Sequence, residues 1–490
     1  MAQNILSNDA QEIAQSLKTF VSNADKEKTD VIKRANTGID YYNGKNAILN
    51  NKIMFLDDNG QWKEDTTASN ARIPHRFMTE LVKQKVQYLL ANPLEIELDD
   101  DKQEMLPYLE QYYNEDFQQL LQDLVTSTSQ KGFDYLFAQQ TTDDKISFIV
   151  ADGLKITPVT DDYGNVLRIV RTWNEDVNNS LDGKHTLHHA EVYTQDVVYY
   201  FVATDKQDYV IDPTKVPNPM PHVLVASTSI NGTEVSGRGF GTIPFYRLQN
   251  NANEETDLDP IKDLVDDFDI MNAYMSNDLN DLSGAIYVFR GDTDTNTAEM
   301  RTNIKAKKAV ITGDTDASFD LKTYDIPFEG RKAKMDIDRD MIYKFGMGFD
   351  SSQVGDGNIT NVVIMSRYTL LNMKANELET RLQKMLKWIN KLVVADINRL
   401  NNTTFNPDDV TFVFNRDMLV NQADNANVEK LEADTKSENI QTLLAAAPML
   451  DSNTVLQAIC AALDLDYDEV VANKSTEEYS NDGAGIDTTD

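Results

Sequence analysis

Cysteine is almost missing from this chain: Cys460 is the only one in 490 residues. No intramolecular disulfide can form, a reducing compartment during folding is the simplest inference, and Cys460, inside AICAAL, reads as a small buried apolar residue. Long hydrophobic runs are lacking too. No stretch nears the ~18 apolar residues of a membrane span, and the polar start MAQNILSNDAQE has no signal-peptide layout, so neither membrane insertion nor export is expected. Cations are scarce, with 46 Lys and Arg against 80 Asp and Glu, a formal charge of −34 and a pI near 4.4. That balance argues against a groove gripping phosphates by salt bridges, although an acidic protein can still surround DNA without adhering to it. Catalytic signatures are absent as well. The only Gly-Lys pairs, Gly44-Lys45-Asn46 and Gly183-Lys184-His185, lack the Ser or Thr of a P-loop, and there is no G-x-S-x-G, H-E-x-x-H or paired Cys. The chain is expected to be no enzyme and to carry no cofactor.

What the chain does have is enough apolar residue, 41%, for a substantial core, and a distinctive stretch from Phe328 to Leu400. Gly330–Phe345 spaces Met335, Ile337, Met341, Ile342 and Phe345 among charges, which predicts an amphipathic helix charged on most of its circumference. Four glycines then fall within Gly346–Asn358, which predicts a mobile loop. Ile359–Leu400 contains neither Pro nor Gly, and its apolar residues recur at helical spacing. Some forty residues at about 1.5 Å each would make a rod on the order of 60 Å long. A plain helical hairpin is the common reading of such a pattern; a gripping or encircling device is the sharper one.

Along the rest of the chain, residues 1–72 read as polar helices at Ile5–Val21 and Thr29–Tyr42 with a break at Asn43-Gly44. Ala71–Leu98 reads as a helix with Pro74 in its first turn and a strand-like LEIEL after Asn92-Pro93, and one further helix is expected over Gln103–Ser129. From Gly132 to Val225 the period becomes two, and ISFIV, VLRIVRTW, TLHHAEVYT and VVYYFV predict antiparallel hairpins. Asp257–Leu282 predicts a strongly acidic amphipathic helix. AIYVFRG, KAVIT (308–312) and FDLKTYDI predict a compact strand insertion, Asp408–Phe414 a strand, Val428–Val471 short helices, and 473–490 a disordered acidic tail. The fold class is α+β.

Several residues imitate sites. His185, His188 and His189 suggest a metal centre, yet alternation along a strand sends adjacent histidines to opposite faces. The carboxylates of Asp257–Leu282 read more simply as a solvated face than as a metal cluster. Asp292, Asp294 and Asn296 start like a calcium loop, but Thr297 stands where Gly is needed and Asn303 where Glu is. Glu95 with Asp100-Asp101-Lys102 is a chance echo of nuclease carboxylates in so acidic a chain. No metal is expected.

The order of elements resembles the portal proteins of long-tailed double-stranded DNA phages, in the branch common in phages of Gram-positive bacteria. The segments IPHRFMTELVKQKVQYLLANPLEIE, GTIPFYRLQNN, IKDLVDDFDIMNAYMSNDLNDLSGAIYVFRG, TYDIPFEGRKAKMDIDRDMIYKFG, GDGNITN and SRYTLLNMKANELETRLQKML carry the resemblance, which covers about Ile73–Leu400. Ala91 and Asn361-Val362 depart from the family's usual Gly and Ser-Gly.

The resemblance implies a wing at 1–250, a stem helix at 251–282, a small α/β clip at 283–329, and a second stem helix at 330–345. It further implies a tunnel loop at 346–358, a long wing helix and return strand at 359–427, and a helical crown at 428–472. Subunits would form a ring of about twelve around passing double-stranded DNA, at a capsid vertex of the virion, after assembly in the host cytoplasm. Partners would be large terminase, then a head-completion adaptor, with the major capsid and scaffolding proteins around the ring. Ser351, Ser352, Gln353, Val354, Gly355, Asp356, Gly357 and Asn358 would face the DNA channel. Arg331, Lys332, Lys334 and Arg339 would either add a weak positive belt to the stem lumen or pair with Asp336, Asp338 and the acidic helix. Another virion structural or scaffold protein with a coiled-coil arm, and a metal-dependent hydrolase using the Asp-rich helix, are the alternatives.

Overall fold

The computed structural model describes residues 5–57, 59–66, 68–141, 144–179, 183–205, 207–229, 232–281, 285–290, 318–323, 327–350, 361–416, 422–446, 450, 452–463, 467 and 470. The expected KAVIT strand, the Asp292–Asn303 segment, Ser351–Asn358 and the 473–490 tail lie outside these residues. The chain divides into two units, residues 1–354 with 368–417, and residues 355–367 with 418–490.

In the first unit, helix α1 (Ala10–Glu27) starts where the Asp9 carboxylate accepts from Gln11 N at 2.8 Å, satisfying a donor that a helix start leaves unpaired. Helix α2 (Thr29–Tyr42) follows and stops at the expected Asn43-Gly44 break. A hairpin of β1 (Met54–Leu56) and β2 (Trp62–Glu64) then occupies a region that reads as helical in sequence. Its turn is made by Asp57, whose carboxylate accepts from Asn59 N and Gln61 N at 3.0 and 2.8 Å, a local bonding option that competes with helix.

Helix α3 (Phe77–Leu90) and strand β3 (Glu95–Glu97) come next. The single helix expected over Gln103–Ser129 is broken into a 3-10 segment, Asp100–Met105, one turn at Leu106–Leu109, and α4 (Glu115–Lys131). Asn114 causes the break: its side chain accepts from Phe117 N at 3.1 Å and so caps a new helix instead of continuing the old one.

The period-two region forms β4 (Phe133–Gln140), β5 (Ile146–Ala151), β6 (Ile156–Thr160), β7 (Val166–Asn179), β8 (Gly183–Tyr193), β9 (Val197–Thr204), β10 (Val210–Ile211) and β11 (Met220–Pro221). The hairpin of β12 (Val223–Ser229) with β13 (Gly232–Arg238) and then β14 (Phe245–Gln249) complete it. Strands β6 to β10 run as an antiparallel meander, and β4 lies between β14 and β5. Alternation assigns the two faces. Val170, Val192 and Tyr199 pack on Ile13, Ala14 and Leu17 of α1, whereas their neighbours Ile169, Tyr193 and Val198 pack with Phe133, Phe137 and Phe245. At the edge of the first face the buried Arg168 guanidinium donates to the carbonyls of Ile5, Leu6 and Ser7 and to Asn8 Oδ1 at 2.7–2.9 Å.

Beyond the sheets lie α5 (Lys262–Asp281), the antiparallel pair β15 (Ala285–Arg290) and β16 (Ser318–Thr323), α6 (Phe328–Phe345), and α7 (Asn361–Asn401), whose 41 residues match the expected rod. Leu371, Leu378, Leu382, Met385, Ile389, Val393 and Ile397 form its buried stripe. Strand β17 (Thr411–Val413) pairs antiparallel with β3 after a 3-10 turn at Pro407–Asp409, so it is shorter than the sequence suggests. The second unit contains α8 (Gln422–Ala446) and α9 (Ser452–Leu463), which buries Cys460 as expected, together with the first turns of α7. Among the described residues no helix is long and apolar enough to cross a membrane.

Candidate functional site

Helices α5 and α6 pack together and are laced by charge. Arg331 of α6 pairs with Asp278 of α5, and Lys334 bridges Asp267 of α5 and Asp338 one turn further along α6. Arg339 reaches Asp336 at 3.1 Å and Asp350 at 3.5 Å. Lys332 is exposed and makes no ion pair among the described residues. Three of these four cations therefore have carboxylate partners within the chain, which is the pairing alternative that the sequence leaves open.

At the end of α6 the chain turns onto α3. Gln84 Nε2 donates to the Phe349 carbonyl at 2.7 Å, and Phe349 N donates to Gln84 Oε1 at 2.9 Å. The Phe349 ring stacks on Tyr368 with centroids 5.0 Å apart, and Lys374 Nζ donates to the Gly346 carbonyl at 2.9 Å. A Cβ on Gly348 would stand 2.1 Å from Leu81 Cδ2, and one on Gly346 would stand 2.6 Å from Leu81 Cδ1. The sequence treats all four glycines as one mobile segment. The structure corrects this for Gly346 and Gly348, which are small so that the backbone can lie against α3. Ser351, Ser352, Gln353, Val354, Gly355, Asp356, Gly357 and Asn358 lie outside the described residues.

Beneath this contact is a buried charge cluster that sequence reasoning misses. Lys85 of α3 lies 2.6 Å from the Asp257 carboxylate and donates to Asn250 Oδ1 at 2.8 Å, while Lys374 of α7 stands 3.2 Å from the same carboxylate. Burial pushes the Lys85 ammonium down to about 8, against the pull of Asp257. Burial alone would raise the Asp257 carboxyl, but Lys374, Lys85 and the Asn250 amide overcome it and hold it well below the carboxylate range. The signal in the sequence is positional: Lys85 falls one turn from both Leu81 and Leu89, on the apolar stripe of α3.

A second buried carboxylate, Asp269 of α5, accepts from His75 N at 3.0 Å and Asn46 Nδ2 at 2.7 Å and lies 2.6 Å from His75 Nδ1. Asn277 Oδ1 accepts from Ala71 N at 2.7 Å. These bonds strap residues 71–75 along α5, which is why Pro74 precedes α3 instead of opening it. The acidic helix thus uses several of its carboxylates internally, and its described side chains do not converge on a metal: no group of three or more His, Cys, Asp or Glu that could hold one occurs among the described residues. His188 bonds Asn174 and Asp205, His189 bonds Glu175 and stacks on Trp173, and His185 stands opposite Val177 in the β7–β8 register.

In chain order this region runs from the acidic helix α5 through the β15–β16 pair to α6, a loop start docked on α3, and the long helix α7. A family model described as phage portal protein, SPP1 Gp6-like, matches residues 22–464, and the chain belongs to that family of head-to-tail connectors, structural components of the virion that serve genome packaging. It is 25% identical over 394 residues to the portal protein of Bacillus phage SPP1, covering 79% of this chain and 75% of that one. It is also 25% identical over 459 residues to the portal protein of Clostridium phage phiCD119, covering 90% of this chain and 94% of that one. A solved chain described as the neck of an empty GTA particle computed with C6 symmetry is similar at a TM-score of 0.37 and 13% identity, over 80% of this chain and 90% of that chain.

Proposed function

We propose that copies of this chain close into a ring of about twelve subunits at one capsid vertex, and that double-stranded DNA passes through the ring during packaging and ejection. In this reading residues 1–250 and 359–427 form the wing, 251–282 and 330–345 the stem, 283–329 the clip, 346–358 the tunnel loop and 428–472 the crown. Large terminase docks on the clip during packaging in the host cytoplasm and a head-completion adaptor takes its place, while the major capsid protein and scaffolding protein surround the ring.

The observation that carries the proposal is family membership over residues 22–464. Charge supports the passage of DNA without adhesion. At −34 per chain a ring would hold a formal charge on the order of −400. Arg331, Lys334 and Arg339 are committed to carboxylates and leave Lys332 alone of that set without an ion pair among the described residues. The channel-facing groups would be the short polar side chains Ser351, Ser352, Gln353, Asp356 and Asn358, with Val354, Gly355 and Gly357 between them. The test is deletion of Gly355–Asn358 in the phage. Negative-stain images should show rings with a central hole from both forms, while the deletion should lose packaged DNA. Normal packaging by the deleted form, or purified wild-type protein that stays monomeric under all conditions, would refute the reading.

A further inference from the structure

We propose that the exposed face of α7 between Lys384 and Lys391 is a docking surface for a second copy of this chain, whose carboxylates meet Lys384, Lys387 and Lys391. The inference rests on the ring reading given above and names one surface through which neighbouring subunits touch.

The row follows from the helix period. Lys384, Lys387 and Lys391 stand three and four residues apart, so they share one side of α7 over a rise of about 10 Å, opposite the buried Leu382, Met385, Ile389 and Val393. All three lysines are exposed, and none makes an ion pair among the described residues. The helix offers them no partner of its own, because no Asp or Glu stands three or four positions from any of them.

That isolation is unusual in so acidic a chain. With 80 Asp and Glu against 46 Lys and Arg, a cation on this surface ordinarily has a carboxylate within reach, as Arg331, Lys334 and Arg339 do. Like charges at helical spacing oppose the helix that carries them, so the fold itself gains nothing from the row. The acids nearest along α7 are committed elsewhere: Glu377 pairs with Arg381 at 3.1 Å, and Glu379 pairs with Arg416. At the start of the row Asn376, Thr380, Gln383, Lys384 and Lys387 line a hollow of about 460 Å³, in which the neutralised Glu379 is the only carboxylate among the described residues.

Charge names the occupant. A second copy also carries a formal −34, and two such chains repel unless opposite charges are set together where they meet. Three unpaired ammonium groups in one compact patch supply that attraction and fix the register of the contact. A ring contact is heterologous, so the patch of one copy meets a different, acidic face of the next and lysines do not face lysines. Thr380 ends the row on one side and Ala395 on the other, which makes it a spot for a few carboxylates and not a track for a phosphate backbone.

The experiment uses the full chain. Rings assembled from equal parts of isotopically light and heavy copies are treated with a carbodiimide, which joins only amines and carboxylates in contact, and the joined peptides are read by mass spectrometry. Peptides bearing Lys384, Lys387 or Lys391 should be linked to Asp- or Glu-bearing peptides of the other isotope. Links confined to one isotope, or none at these lysines, would overturn the proposal. In parallel, the triple variant Lys384→Glu, Lys387→Glu and Lys391→Glu should melt as the wild-type monomer does but lose ring yield roughly tenfold or more in sedimentation. Normal ring yield from that variant would sink the idea, and normal rings with loss of DNA-filled particles would show that the lysines meet DNA instead of a neighbour. If the reversed chain does not fold, the wild-type cross-links decide alone. Wild-type protein that stays monomeric under all conditions would mean that the ring reading is what fails, and this docking surface with it.

Discussion

Lys85 illustrates how a single buried charge is tolerated in this chain. It is 1% exposed, and removing an ammonium from water is costly unless nearby groups replace the lost hydration. Asp257 and Asn250 do so, but Lys374 shares the same carboxylate, so the cluster holds two cations against one anion. Burial accordingly leaves Lys85 at about 8, below the ordinary 10.5. Between those two values the unfolded chain binds the proton and the folded chain has released it, so this residue's contribution to stability rises with pH across the window. Melting curves of wild type and Lys85→Met from pH 7.5 to 10.5 should show the wild type gaining on the variant by up to about 3 kcal/mol. A constant difference would mean that Lys85 keeps its proton in the folded state throughout.

At the scale of elements, helices α2 and α4 meet at a glycine. A Cβ on Gly38 would stand 2.1 Å from the Gln130 carbonyl oxygen, an atom that cannot step aside without moving α4. Gly38→Ala should lower stability by about 1–3 kcal/mol as an overpacking change. Gly60→Ala should cost less: it sits at φ +74° in the hairpin turn with nothing within 4 Å, so only its backbone conformation resists. Thermal melts of the two variants check the order, and equal losses would show that the α2–α4 contact is not tight. Elements with long, regular patterns were legible in the sequence, including α2, α5, α6, α7 and the β7–β9 meander. Those set by one side chain bonding its own neighbourhood were not, as Asp57 shows in the β1–β2 turn and Asn114 at the start of α4. The docked loop start was missed because glycine spacing alone does not distinguish freedom from close approach, and Leu81 lies far from Gly348 in sequence.

For the molecule as a whole, the proposed passage of DNA turns on charge. Each phosphate neutralised by a protein cation contributes a salt slope of about −0.9 to duplex binding. A chain with 46 cations against 80 anions, and with Arg331, Lys334 and Arg339 paired internally, should contribute few such contacts. Purified rings mixed with linear duplex should show weak retention with a shallow salt slope in a gel-shift titration. A slope as steep as that of a repressor would count against passage without adhesion.

The clasp of Arg168 on Ile5, Leu6, Ser7 and Asn8 bears on how the protein can be handled. Trimming the chain ahead of Asp9 to tidy a preparation would strip four acceptors from a guanidinium that is only 5% exposed and would remove Ile5 from the sheet face it fills. Affinity handles are therefore better added without removing Ile5–Asn8, since a form lacking them would leave the Arg168 guanidinium without these four acceptors.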